Sequence, residues 1–276
     1  MKKGFAFLKR STRLLLLLGT AVFLSSCNAN SEALSDDGGY EPPGYVCVKQ
    51  NNADGSYLTF AYNRDGECVK STCFSVDDTL MGWTEYTFGD SGWKTEQTEY
   101  NAEGEIKTRS VMEYDGGCMT KLTCFDGENE QQYQQTYDYD ENSYCIKETY
   151  ISDNLSYWYD IERDENGREI KRTMRTDDND QTTTVEFSYD AEDQLIKTTT
   201  YEDSAIRGWD EYTYDAAGNQ LSCTAYTVDG QANGAWEYSY DKDGNLIQAA
   251  FNGTGSAELL STYEYMTFGD YLKQQS

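Results

Sequence analysis

The sequence predicts an all-β fold of antiparallel hairpin repeats, about eight units of 25–26 residues, joined into one long, curled or twisted sheet. An open, barrel-like spiral is one form such a sheet could take. Three observations carry this. The second aromatic of each Tyr-x-Tyr-Asp-like cluster falls at Tyr62, Phe88, Tyr114, Tyr139, Arg163, Tyr189, Tyr214, Tyr240 and Tyr265, with gaps of 24 to 26 residues. A second register repeats at Phe74, Tyr100, Phe125, Tyr150, Arg175, Tyr201, Tyr226 and Phe251, with gaps of 25 or 26. Within each unit, two short runs of aromatic and β-branched residues are separated by Asp, Gly and Asn clusters, the signature of strands and hairpins.

Residues 1–26 precede the repeats and read as a secretory signal. Lys2, Lys3, Lys9, Arg10 and Arg13 form a basic start, and Leu14 to Leu24 an apolar run too short to span a bilayer comfortably. The next residues, Leu24-Ser25-Ser26-Cys27, resemble the lipobox of bacterial lipoproteins. That resemblance implies cleavage before Cys27 and a lipidated sulfur, with acyl chains such as palmitate holding the mature chain on the outer side of a membrane in the cell envelope. Residues 27–43 are polar and end in Pro42 and Pro43, the two prolines of the whole chain, so they read as a flexible tether. Residues 44–276 form the repeat domain.

Units seven and eight show the repeat most fully. Trp209 to Tyr214 forms a first strand, Asp215-Ala216-Ala217-Gly218-Asn219 a short turn, Gln220 to Tyr226 a second strand, and Thr227 to Ala235 a longer connection. In the short turn Asp accepts backbone N–H groups two residues on, and Gly supplies the left-handed conformation. Unit six places Asp193 where Gly is expected. The second connection, as in Ser75 to Gly82 or Thr176 to Gln181, is expected to be the longer and more variable one. Aromatics spaced by two, such as Tyr137/Tyr139 and Tyr238/Tyr240, lie on one face of their strand and build an aromatic stripe across the sheet. Unit five, with Ile161 and Arg163 in the paired positions, predicts a bend or looser packing. A half unit from Val46 to Leu58 and an incomplete ninth unit from Tyr263 are expected to cap the open ends.

Without the five basic residues of the signal, 17 Lys and Arg face 49 acids, a net charge of about −32. So acidic a chain has no basic patch for nucleic acid. Histidine is absent, which removes Ser-His-Asp and Cys-His catalysis and the usual transition-metal ligands together. No Gly-rich phosphate loop or nucleophile elbow is present either, so no catalytic residue is assigned and the chain reads as a non-enzyme. Seven cysteines follow Cys27: Cys47, Cys68, Cys73, Cys118, Cys124, Cys145 and Cys223. In a parallel solenoid Cys47 and Cys73 would lie in adjacent coils, within reach of a disulfide. In an antiparallel meander they stand about 9.5 Å apart, beyond it.

The Tyr-x-Tyr-Asp-x-x-Gly-Asn form of Tyr212 to Asn219 and Tyr238 to Asn245 resembles the YD repeat of the RHS/YD-repeat family. The resemblance runs from Phe60 to Tyr265 and weakens toward the N-terminus. It implies one antiparallel hairpin per repeat, joined into a long curling sheet; large members of the family wrap that sheet around a toxin, and others act in surface adhesion and carbohydrate binding. The function expected is that of a membrane-anchored surface lipoprotein acting as a non-catalytic binding or scaffold module for a protein or glycan. Trp83, Trp158, Trp209 and Trp236, at the start of the first strand, are its candidate stacking residues, and bracing of the sheet is the plainer reading of them. A divalent-cation-binding repeat protein is one alternative: Asp241 and Asp243 resemble the start of a calcium loop, although the distal bidentate Glu is missing. A purely structural envelope protein is the other.

Overall fold

The repeat closes on itself. A computed structural model describes residues 43–177, 180–253 and 259–275; the signal, the lipobox and all but the last residue of the tether lie outside the described residues. The strands in chain order are β1 (Tyr45–Asn51), β2 (Tyr57–Tyr62), β3 (Cys68–Phe74), β4 (Leu80–Phe88), β5 (Lys94–Asn101), β6 (Ile106–Asp115), β7 (Cys118–Asp126), β8 (Gln131–Tyr139) and β9 (Cys145–Ser152). They continue as β10 (Leu155–Arg163), β11 (Glu169–Thr176), β12 (Thr183–Tyr189), β13 (Leu195–Glu202), β14 (Ala205–Tyr214), β15 (Gln220–Thr227), β16 (Ala232–Tyr240), β17 (Leu246–Gly253) and β18 (Leu259–Thr267). A short helix, α1 (Phe268–Gln274), follows. Each strand pairs antiparallel with its sequence neighbours, and β1 also pairs with β18, giving an 18-stranded up-and-down barrel.

Closure is made by the two half units at the chain ends, which complete one another instead of capping free edges. Tyr265 of β18 faces Cys47 of β1 with a bulge after it, as Tyr240 faces Leu246 and Tyr214 faces Gln220 within single hairpins. The ends of the chain thus form a ninth unit, and no edge strand is left to recruit other chains.

The turns explain why each unit folds locally. The Asp215 N–H donates to the Asn219 carbonyl (2.9 Å) and the Gly218 N–H to the Asp215 carbonyl (3.1 Å). Asp215 Oδ1 then accepts the N–H groups of Ala217 (2.8 Å) and Asn219 (2.9 Å). Asp140, Asp164, Asp190 and Asp241 do the same, and Asn63 does so with its amide oxygen. Asp193 takes the left-handed place of Gly, at φ 66°, a conformation Asp tolerates better than most residues.

The second connection is in most units no longer than the first; between β11 and β12 it is longer, with residues 177–182 separating Thr176 from Thr183. Ser75 to Thr79 closes by the same pair of backbone bonds, and Leu80 to Gly82 already belong to β4. Asp153 and Asn154 alone join β9 to β10. The added length expected there is therefore strand.

Rings from opposite sides of the circle, Tyr62, Tyr139 and Tyr240, line one cavity, so the aromatic stripe faces the lumen. Just nine apolar residues are buried in the described chain, which marks a hollow wall and not a packed core. Among the described residues an apolar cluster joins Val46, Phe268 and Tyr271, where α1 folds over the ends of β1, β2 and β18. Thr267 caps α1 by accepting the Asp270 N–H (3.2 Å), and Tyr271 Oη accepts the Tyr62 N–H (2.8 Å).

Unit five is neither bent nor loose. Ile161 is buried, and Arg163 Nε donates to the Cys145 carbonyl (3.0 Å). That is the bond the tyrosine makes in other units: Tyr139 Oη to Met119 O (2.7 Å), Tyr189 to Glu169 (2.8 Å), Tyr214 to Leu195 (2.8 Å) and Tyr240 to Gln220 (2.9 Å). Cys47 and Cys73 stand on β1 and β3 with β2 between them, the meander geometry that places them beyond disulfide reach.

Candidate functional site: an aromatic chamber at one end of the barrel

The short Asp-type turns and α1 share one rim, and inside that rim lies a cavity of about 1000 Å³. Its wall is made by the register aromatics Tyr62, Phe88, Tyr114, Tyr139, Tyr240 and Tyr265. Four of the tyrosines that build the lumen ring, counting Tyr62 (to Cys47 O, 2.7 Å) and Tyr114 (to Lys94 O, 2.8 Å) with Tyr139 and Tyr240, spend their hydroxyl protons on backbone carbonyls of the preceding unit. Their positions are fixed by the sheet, and two of them carry a further ring: Trp93 stacks on Tyr114, and Tyr271 meets Tyr62 edge to face. Burial pushes Tyr139 up to about 12 and Tyr114 upward, so both rings stay neutral at ordinary pH.

Two side chains at the mouth are open. Trp93, 42 % exposed, follows the Gly89-Asp90-Ser91-Gly92 turn and stacks on Tyr114 with centroids 5.8 Å apart and planes at 23°. Tyr45, 39 % exposed, donates to Asp243 Oδ2 (3.1 Å) across the rim. Polar groups stand among the rings: Glu67, Asn219, Asn245 and Lys94. The Lys94 ammonium rests 4.5 Å from the centre of the Tyr86 ring, and burial lowers its pKa. Farther round the lumen, Arg172 is held between Glu148 (2.9 Å) and Glu169 (2.7 Å). Burial works against its charge, but the two carboxylates overcome that and raise its pKa.

The four tryptophans singled out in the sequence divide by strand parity. Trp83, Trp158 and Trp209 stand five residues before the register position (Phe88, Arg163 and Tyr214) and so face outward, whereas Trp236 stands four before Tyr240 and faces inward beside Tyr238 and Phe251. Trp83 is sandwiched between the Lys70 ammonium (4.7 Å) and Tyr100 (4.9 Å), and its indole N–H donates to Glu85 (3.1 Å). Trp209 repeats this with Lys197 (4.8 Å), Tyr226 (5.4 Å) and Glu211 (3.0 Å). With both ring faces covered, these indoles brace neighbouring strands. Lys147 lies over Trp158 (5.4 Å).

Asp241 and Asp243 do not converge on a common point. Asp241 Oδ1 is occupied by two turn N–H groups and Oδ2 by the Asn245 amide (2.9 Å), while Asp243 pairs with Lys242 and Tyr45. No group of three or more acidic or thiol ligands is assembled among the described residues.

Trp93 and Tyr45 escape the sequence reading because neither lies on the repeating strand registers. The available signal is that Trp93 directly follows a short turn, a position whose side chain also packs along the rim in units four and five. Tyr144 in that position lies over Gly167, and Arg168 stacks on Tyr189 (4.9 Å).

No protein-family model matches the chain, and no curated protein matches it. Among solved structures it is similar to a porin-like protein from Bacteroides uniformis, at 13 % identity and TM-score 0.43, covering 82 % of this chain and 100 % of that one. A porin-like protein from Bacteroides vulgatus matches at 10 % identity and TM-score 0.40, with 79 % and 97 % covered. TcdB2-TccC3-TEV matches at 10 % identity and TM-score 0.27, over 88 % of this chain but 17 % of that structure.

Proposed function

We propose that the chain is a non-catalytic binding module, tethered through lipid on Cys27 to the outer side of an envelope membrane, that takes a neutral saccharide into the aromatic chamber. The YD-like repeat is then a scaffold that builds a ring of fixed aromatic faces. The observation that carries this reading is the commitment of the chamber tyrosines' hydroxyls to backbone carbonyls. A ligand meets rigid π faces along the wall and a few polar groups, Glu67, Asn219 and Asn245, between them. Sugar rings present apolar C–H faces and hydroxyl edges, which suits such a lining, and a cavity of about 1000 Å³ accommodates a short oligosaccharide. The strong negative charge disfavours anionic sugars.

The outer wall supports a water-facing barrel. Cross-strand ion pairs run over it, Lys70–Glu85 (3.0 Å), Lys121–Glu113 (3.0 Å), Lys171–Glu162 (2.9 Å) and Arg175–Asp160 (2.9 Å). Each contributes little stability in water. On a lipid-facing wall each Lys or Arg at the bilayer centre would cost about 2–4 kcal/mol.

The test is a screen of the full chain against neutral glycans, followed by fluorescence titration of any hit. Trp93→Ala is expected to weaken binding about tenfold, the loss of roughly 1.4 kcal/mol, while Trp209→Phe leaves it unchanged. Silence toward every glycan, or equal loss in both variants, would remove the saccharide reading and leave a structural spacer.

A further inference from the structure

One lysine stands inside the wall. The residue opposite each register position shares its lumen side, and in most units it is a thiol or an apolar side chain: Cys68 opposite Tyr62, Met119 opposite Tyr114, Cys145 opposite Tyr139, Leu195 opposite Tyr189 and Leu246 opposite Tyr240. Unit two places Lys94 there, opposite Phe88. Two residues on, the outer wall carries Lys70, Lys121, Lys147, Lys171 and Lys197 in units one and three to six, but Glu96 in unit two. Lys94 therefore lines the chamber beside Cys68 and Phe88. Among the described residues no carboxylate pairs with it, although the chain holds 49 acids, and its ammonium rests on the Tyr86 ring, 4.5 Å from the centre. Glu169, the other charged residue at this position, is by contrast paired with Arg172 (2.7 Å). The sheet does not require a half-buried, uncompensated amine here, since neighbouring units build the same hairpin with sulfur or carbon in its place. Burial draws the Lys94 pKa down, with the Cys68 sulfur acting the other way.

We propose that Lys94 is a covalent capture site for an aldehyde: a small neutral carbonyl compound enters the chamber and is held as an imine on Nζ. The amine adds to the carbonyl carbon, its two protons pass to the carbonyl oxygen, and that oxygen leaves as water. The step needs neither oxidant nor reductant. The uncharged amine is the nucleophile, and a half-buried lysine without a carboxylate partner holds more of it than a solvated, ion-paired one. The cavity of about 1000 Å³ leaves room for the incoming molecule, and the rings of Phe88 and Tyr114 on its wall keep water away from the imine. The acidic chain repels carbonyl acids, which leaves neutral aldehydes as the class. Capture needs a free aldehyde and no sugar ring, so it stands or falls apart from the saccharide reading.

The experiment incubates the folded full chain with benzaldehyde, and separately with glyceraldehyde, in the presence of sodium cyanoborohydride, which reduces an imine to a stable secondary amine. Peptide mass spectrometry then reads the modification at each lysine. Lys94 is expected to be labelled about tenfold faster than the exposed Lys107 and Lys242, because the carbonyl is held beside its amine. Fast labelling by either aldehyde supports capture, and the faster of the two identifies the ligand as hydroxylated or aromatic. Label spread evenly over the lysines of the folded chain, or Lys94 modified only after unfolding in urea, would overturn the proposal. Lys94→Arg keeps a cation over Tyr86 and is expected to retain its circular dichroism while the fast label disappears. A fast label that survives in this variant on another lysine would place capture elsewhere and overturn the assignment.

Discussion

At the scale of single residues, one hydrogen bond recurs around the ring. A side chain at the register position donates to the carbonyl that opens the preceding unit's second strand. Tyr139→Phe keeps the ring and removes the donor to Met119, so unfolding in urea is expected to lose about 1 kcal/mol. Arg163 makes the same bond with a guanidinium and also donates to the Gly167 carbonyl (2.9 Å). Arg163→Tyr should consequently cost less than Arg163→Ala, by about 1 kcal/mol in the same assay. The lumen tyrosines also set a limit in alkali. Burial raises Tyr137, Tyr139 and Tyr157 to about 12, against about 10 in an unfolded chain. The folded form thus holds phenolic protons that the unfolded form releases. The stability linked to them is complete below pH 10 and is lost as pH rises through about 12. Phenolate absorbance should rise late and together with loss of strand circular dichroism; early titration of these rings without unfolding would contradict the structure.

At the scale of the hairpin, turn chemistry and packing can be separated. Gly167 and Gly218 hold the same left-handed position, at φ 82° and 89°. A Cβ on Gly218 would find its nearest neighbour at 3.4 Å, the flexible end of Gln194, whereas on Gly167 it would meet the Tyr144 ring at 2.3 Å. Gly218→Ala should cost about 1 kcal/mol for the backbone alone. Gly167→Ala should cost more, because the Tyr144 ring must leave the Arg163 guanidinium that lies over it, 5.6 Å from its centre; equal losses in thermal melts would show that ring to be loosely held. The turns were legible in the sequence, since Asp and Gly act on backbone groups within four residues. The length of the second connection was misjudged because strand residues of turn-like composition, such as Ala232, Asn233 and Gly234 at the start of β16, resemble loop. Trp93 was missed for a related reason: its partner Tyr114 is brought to it by the sheet and not by the repeat spacing.

At the scale of the molecule, the ring couples the chain ends. An open repeat array loses its terminal units first, but here β1 and β18 form one unit, clamped by α1. Phe268→Ala, at a residue 5 % exposed, is expected to cost about 3 kcal/mol. Tryptophan fluorescence and circular dichroism should still report one shared transition at a lower denaturant midpoint. Separate transitions, with the seam opening alone, would show that closure does not govern the fold.

The sequence by itself determined the hairpin, its period and the aromatic pairing on one strand face, because these follow from turn conformation and the two-residue alternation of a strand. It also marked Arg163 as exceptional without showing that it substitutes for tyrosine. Only the tertiary structure decided that the sheet closes, that the two half units join, which face becomes lumen and which rim holds the chamber. Those outcomes depend on the twist accumulated over all 18 strands and on contacts between residues more than 200 positions apart, such as Tyr62 with Tyr271. No local pattern encodes such a sum.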